Sequence, residues 1–457
     1  MLKKISNTLV VIIVCLVLYM LYDMYETEAW TLLAIFTNGV YGETEREYVQ
    51  TESQENSAKE DTETITGELP MVYDCRSMGK APTVKDQGEF GTCWAIVASS
   101  VLESGLLPEE STVFSADHIS AQNGFSGERE GGAFMMAAAY LAAWQGPVTE
   151  EQDPYGDGAS TEHLQAVKHV QEIQMLQERD LQEIKELVYT YGAVQTSIHM
   201  DMGGEKRESP YYNSELAAYC YNGDEEQNHD ILIIGWDDNY PADNFTYPPA
   251  NDGAFLCQNS WGEDFGEGGC FYVSYDDSKI GDNCAVCTRV EPADNYDKIY
   301  QTDLCGYVGQ VGYGKETCLF ANAYTASEDE TLRAVGFYAT DKNTSYEILV
   351  AEDFKNVFSL VLADKIQEGT FENPGFYTVD LKQPIQFLAG QKFAVLVKIT
   401  TPGSKYPVAM EYRADETTQQ VILDDGEGYV SPDGYQWIQV EKEHEGNVCL
   451  KAYTDIE

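Results

Sequence analysis

Basic residues are scarce in this chain: 28 Lys and Arg stand against 77 Asp and Glu, a formal charge of −49 over 457 residues. Such a surface repels polyanions, which excludes nucleic acid as a default partner, and it argues against charge-driven docking on an anionic membrane. Cysteine is sparse as well, eleven in all, too few for a fold built on disulfides. The mean hydropathy of −0.36 excludes a polytopic membrane protein. Disorder throughout is excluded too, because the hydrophobic share, 43%, is that of globular chains. The length suggests two or three domains, each large enough to bury roughly 70–75% of its unfolded surface.

The one long apolar run lies at the start. Lys3 and Lys4 precede Leu9 to Tyr22, and counted from Ile5 the stretch reaches 18 residues. A positive segment followed by such a run is an export signal or, at this length, a spanning anchor. The anchor is the favoured reading, because no small-x-small cleavage site follows closely; Val40-Tyr41-Gly42 has the right sizes but lies far downstream. Lysines before the run, with Asp23, Glu26 and Glu28 after it, put the bulk of the chain outside the cytoplasm. The expectation is a protein exported to the cell surface on a single N-terminal anchor, or secreted. Residues 1–28 are then the signal or anchor, and 29–69, acidic and rich in Thr, Ser and Glu, a solvated linker.

From Tyr73 the pattern turns globular. A helix is expected from Cys93 to Leu106, apolar on one side, and a short one through Gln122 with Ser115 as its N-cap. Gly131-Gly132 precede an Ala/Met-rich helix over 133–145, stopped by Gly146-Pro147. Asp180 to Tyr191 is amphipathic. Strands follow at 193–199, 230–236, 254–258 and 270–275. Helices before an antiparallel sheet make an α+β unit, placed at 70–294. Past about 295 the helix signal vanishes. Short alternating runs at 318–326, 331–340, 346–352, 376–381, 393–400, 407–412 and 448–453 suggest an all-β, jelly-roll-like sandwich over 295–457.

The chemistry centres on Gln87-Gly88-Glu89-Phe90-Gly91-Thr92-Cys93-Trp94-Ala95. A cysteine at a helix start meets unpaired N–H groups and the positive end of the dipole, which favour the nucleophilic thiolate. Gln87 is placed to fold back and aim its amide at an oxyanion beside Cys93. Taken alone, such a cysteine is more often inert. Two further segments change that balance. His229 stands at the mouth of an apolar strand, where it can present one ring nitrogen outward. Asn259, in Asn259-Ser260-Trp261-Gly262, can accept the other ring N–H and fix the tautomer. His118, His163, His169, His199 and His444 lack this context.

On these segments residues 73–290 resemble the papain-like cysteine peptidases. Tyr73-Asp74-Cys75-Arg76 resembles their mature start, Gln87 to Trp94 the oxyanion glutamine and nucleophile segment, and His229 and Asn259 the base and its orienting residue. The matches run in order over about 200 residues and are jointly specific. The resemblance implies a two-lobed fold, with a helical lobe and an antiparallel β lobe, that hydrolyses peptide bonds. Cys93, His229, Asn259 and Gln87 are then catalytic. Gly131 and Gly132 pair with extended substrate, Ser197 lines a specificity pocket, and Trp261 shields the His–Asn bond. Neither metal nor organic cofactor is required. There are departures. Phe90 stands where many relatives carry a disulfide-forming cysteine. Residues 29–69 are too short for the long inhibitory pro-segment of many relatives. The Cys–Asn separation of 166 residues is long, the excess falling in 237–253, read either as a lid or as a surface elaboration.

Residues 296–457 resemble, less specifically, the lectin-like sandwich behind papain-like domains in some bacterial surface proteins. The turn-rich stretch 424–437 offers aromatics to stack on sugar and acids to hold Ca²⁺, or more plainly packs Trp437 into the sandwich core and makes turns with its Asp-Gly pairs. Cys284-x-x-Cys287 has no second pair at zinc spacing and reads as structural or free thiols. The function expected is a surface endopeptidase acting on peptide or protein, with a C-terminal module for glycan or protein. The alternatives are an adhesin on an inactive peptidase scaffold, and a transpeptidase with the same triad.

Overall fold

The helix that Cys93 opens, Cys93–Leu106, is buried on every side: all residues from Trp94 to Ser104 are inside. A one-sided helix was expected; the small residues Ala95, Ala98, Ser99 and Ser100 let partners approach all round it. Helices Ala116–Ala121 and Phe134–Ala142 and strands His229–Asp237 and Cys284–Pro292 supply those partners. A buried ion pair fixes its height. Glu103 Oε1 lies 2.6 Å from Lys85 Nζ and accepts the Phe114 N–H at 2.9 Å, and Lys85 also donates to Ser99 Oγ at 2.7 Å. Ser115 caps the next helix by accepting from the His118 N–H.

The computed structural model describes residues 68–126, 131–157, 159–202, 208–423 and 427–457. The expected N-terminal anchor and nearly all of the linker lie outside them. No helix among the described residues is long and apolar enough to cross a membrane. The fold is α+β followed by a β-rich unit, as expected. Helix Leu181–Tyr191 starts at the Asp180 cap, and the four strands expected in the first unit form at Val194–Ile198, His229–Asp237, Ala254–Gln258 and Cys270–Ser274.

Among the strands that escaped the sequence reading, Lys168–Leu176 and Cys284–Pro292 join the two halves. They pair with each other, Cys284–Pro292 also pairs with Val194–Ile198, and Glu172–Gln174 pairs with Gly375–Tyr377 of the second half. One 13-stranded sheet therefore runs from the peptidase-like half into the sandwich. Tyr338, Phe376, Ala409 and Cys449 add their side chains to the core of the first half. Polar contacts seal the seam: Arg289 to Asp380 at 2.8 Å, Thr378 Oγ1 to Gln171 Oε1 at 2.6 Å, and Gln301 Nε2 to the Ala143 carbonyl at 3.0 Å.

The sandwich closes with a six-stranded sheet whose Thr344–Ala351 strand alternates inside and outside, placing Tyr346, Ile348 and Val350 in the second core. Helix is not absent past 295 as expected: Val357–Val361 and Val440–His444 are short helices. Five residues each is too short a stretch for a 3.6-residue period to show. Trp437 is buried with its indole N–H on the Gly434 carbonyl at 2.9 Å, so it fills the core and offers no platform for sugar. Asp424, Asp425 and Gly426 lie outside the described residues. No group of three or more His, Cys, Asp or Glu residues is placed to hold a metal among the described residues. The insertion at 237–253 is a surface elaboration: Tyr240 and Phe245 pack in a satellite cluster with Ala218, Cys220 and Ala254.

Glu103→Ala leaves Lys85 buried without its counter-charge, and a loss of about 3–5 kcal/mol in denaturant-unfolding stability is expected. A chain ended at residue 294 exposes the edge of Lys168–Leu176 and the faces that Tyr338 and Phe376 covered. It is expected to aggregate on size-exclusion chromatography; a monomer with the parent's melting temperature would refute the seam's role.

Candidate active site

Cys93 and His229 line one cavity of about 550 Å³ between the Cys93 helix and the sheet. Sheet register builds its floor. Met175 faces Ala285, Leu176 faces Cys284, and Ser197 faces Asp230 across neighbouring strands, and all six line the cavity. The rim comes from Gly132 to Met135, and Tyr307, from the second half, supplies a further wall.

His229 is held by Asn259, whose Oδ1 lies 2.7 Å from Nε2. The same oxygen accepts the Ser260 backbone N–H at 2.8 Å. A group that accepts from a backbone N–H must be the amide's oxygen, so the facing ring nitrogen, Nε2, carries hydrogen. In the neutral ring Nδ1 is then the basic nitrogen. Trp261 packs on the imidazole with ring centres 4.9 Å apart, on the side away from the cavity lining. The Nδ2 of Asn259 is buried without a hydrogen bond.

The cysteine's surroundings differ from expectation in one respect. Burial pushes the Cys93 thiol up to about 11, helped by the Asp230 charge, although the N–H groups of Asp230, Trp94 and Cys93 itself act to lower it. Burial likewise pushes His229 down to about 4, against the Asn259 hydrogen bond. Desolvation outweighs the helix dipole for a side chain set this deep. Burial thus favours the neutral form of both groups, Cys93 and His229.

Gln87 is buried and locked at both ends. Its Oε1 accepts from Ser260 Oγ at 2.7 Å and its Nε2 gives one hydrogen to the Phe90 carbonyl at 2.7 Å. Tyr155 holds the Gln87 carbonyl at 3.0 Å. Gln87, Gly131 and Trp261 lie outside the cavity lining, whereas Gly132 and Ser197 belong to it. Gly132 must be glycine: a Cβ there would sit 2.4 Å from the Trp94 ring. None of the other described histidines lines the cavity. Sequence reasoning missed Ser260, Asp230 and Tyr307. Ser260 was adjacent to a chosen residue, and Asp230 follows His229 in a strand; Tyr307 carried no signal, since only the tertiary fold brings it here.

Two family models match the chain. Residues 69–291 match the family model of the papain family cysteine proteases, and residues 299–454 match that of the lectin-like domain. A viral cathepsin of Heliothis zea nuclear polyhedrosis virus is 28% identical over 215 residues, covering 45% of this chain and 52% of that protein. The chain thus spans about half the length of this relative. Pro-cathepsin H of Mus musculus is 24% identical over 247 residues, covering 52% of the chain and 70% of the relative. Among solved structures, the clostridial cysteine protease Cwp84 after propeptide cleavage superposes with a TM-score of 0.74 at 25% identity, over 84% of this chain and 99% of that one. The cysteine protease and lectin-like domains of Cwp84, a surface layer associated protein of Clostridium difficile, give 0.71 at 24% identity, over 85% and 90%.

Proposed function

Since residues 69–291 belong to the papain family of cysteine proteases and residues 299–454 form a lectin-like domain, we propose that this chain is an exported, surface-held endopeptidase that works through Cys93, His229, Asn259 and Gln87. The observation that carries the reading is the orientation chain Ser260 N–H to Asn259 Oδ1 to His229 Nε2, which leaves a basic Nδ1 in the cleft that holds Cys93.

The reaction is acyl transfer. Cys93 Sγ attacks the peptide carbonyl carbon while its proton passes to His229 Nδ1. The carbonyl oxygen takes the negative charge and accepts from the Cys93 N–H and from the second amide hydrogen of Gln87. Ser260 and Phe90 fix that amide's orientation beforehand, so no reorganisation is needed during the step. The imidazolium then protonates the leaving amine, the C–N bond breaks and a thioester remains. Water, deprotonated by the same imidazole, hydrolyses it and restores the thiol. The Lys3/Lys4 and apolar run directs export, and the acidic segment 29–69 tethers the enzyme. The lectin-like half binds glycan or protein beside the cleft. Similarity to a surface layer associated protein supports that address.

A thiol-reactive peptidyl probe tests the reading. Labelling of Cys93 in the full chain is expected, absent in Cys93→Ala and reduced about 10²–10⁴-fold in rate in His229→Ala; a folded wild-type chain that takes no label would overturn it. Gln87→Ala is expected to lower kcat by about 10²–10³ with little change in KM, measured on any peptide the wild type cleaves.

A further inference from the structure

The cavity holds one charged group that the reaction does not use. Asp230 is buried in the strand beside His229, and its carboxylate faces the cavity. One oxygen is satisfied: Oδ1 accepts from Ser197 Oγ at 2.5 Å and from Gln195 Nε2 at 3.3 Å. The other, Oδ2, accepts no hydrogen bond, and no Lys or Arg pairs with Asp230 among the described residues. None of the lining residues is a lysine or arginine either. A buried carboxylate without a counter-ion is expensive, and burial pushes its pKa up to about 6 despite the Ser197 and Gln195 hydrogen bonds. Something from outside is positioned to relieve that cost.

The surrounding walls indicate what. Met135, Met175, Leu176 and Ala285 give apolar walls, Gln195 gives an amide on the acid, and Gln177 lines the same cavity. Apolar walls together with a carboxylate fit a side chain with a methylene stem and a cationic head. We propose that the cleft selects peptides carrying lysine or arginine at one fixed position on the acyl side of the scissile bond, with Asp230 as the specificity-determining residue. Ser197 and Gln195 hold the carboxylate so that Oδ2 stays directed at the incoming cation. The chain's net charge of −49 draws cationic peptides in the same sense. This inference rests on the peptidase reading and goes beyond it by naming the substrate class.

The test uses the full chain and fluorogenic peptides that differ at a single acyl-side position, each scanned in turn with Lys, Arg, norleucine, Gln and Glu. In the wild type, one position is expected to favour Lys or Arg over norleucine by roughly 10- to 100-fold in kcat/KM, the penalty of leaving a buried charge unpaired. In Asp230→Asn that ratio is expected to fall towards unity while the norleucine peptide is still cleaved. The wild-type profile decides the matter even if the variant fails to fold. Equal or better cleavage with norleucine at every position overturns the inference and leaves the peptidase reading intact. A preference for Gln over Lys also overturns it, because it would mean a protonated Asp230 acting as a neutral hydrogen-bond partner. Absence of cleavage of every peptide, with Cys93 unlabelled, refutes both.

Discussion

The strand Lys168–Leu176 is bonded on both edges, to Cys284–Pro292 on one side and to Gly375–Tyr377 on the other, and the rest of the molecule depends on that double pairing. It turns two sheets into one. It also ends at the cavity, where Met175 and Leu176 form part of the floor. The segment that welds the halves thus shapes the cleft, and any shift of the sandwich against the first half would move the cavity floor. Tyr307 makes the coupling tighter, because a residue of the second half stands in the wall of the cleft that Cys93 and His229 of the first half line. An exposed linker between the halves would give neither effect, since inter-domain contacts through short polar surfaces leave domains free to move.

Inside the cleft the governing term is desolvation. Cys93 and His229 are each pushed toward neutrality by burial, so proton transfer between them must make two charges at once within one cavity. Their mutual attraction in a low-dielectric setting offsets much of the burial penalty. The Asp230 carboxylate acts on this balance too: its charge raises the Cys93 pKa. A cation seated on Asp230 would remove that influence. Occupying the pocket and easing thiolate formation are thus the same electrostatic event, which is how binding energy away from the reacting bond reaches the chemistry.

The reactive segments were legible because they are local. The helix start at Cys93, the strand carrying His229 and the loop with Asn259 each have a pattern within ten residues. The glycine pair and the turns between them needed no tertiary information either. The sandwich strands with clean alternation were legible for the same reason, as Thr344–Ala351 illustrates. Lys168–Leu176 was not, since His169, Gln171 and Gln174 interrupt its apolar positions. Those polar residues are spent on partners distant in sequence: Gln171 on Thr378 and His169 on Asn295 and the Trp144 ring. A strand at a seam looks polar because its partners are polar groups of the other half. The Cys93 helix misled in the opposite way, its small residues reading as a weak exposed face when they mark close approach by neighbours. The electrostatic expectation for Cys93 failed because a helix dipole can be read from sequence and depth of burial cannot.

What separates Cys93 from the other cysteines is its company, not its acidity. Ten are described, none is in a disulfide, and all but Cys93 are buried. Acidity does not single it out. Burial raises Cys220 and Cys270 to about 11, as it does Cys93, and Cys75, Cys284 and Cys287 to about 12. The effect of burial is thus shared by these thiols and does not set Cys93 apart. Cys284 makes the point within a single cavity: it lines the same space as Cys93, yet its hydrogen-bond partner is the Thr196 hydroxyl, which cannot take a proton as an imidazole can. Two thiols share one cleft, and the one that shares its surroundings with an oriented histidine is the one equipped to react. Reactivity here belongs to the arrangement of thiol, base and amide, and only the folded chain assembles it.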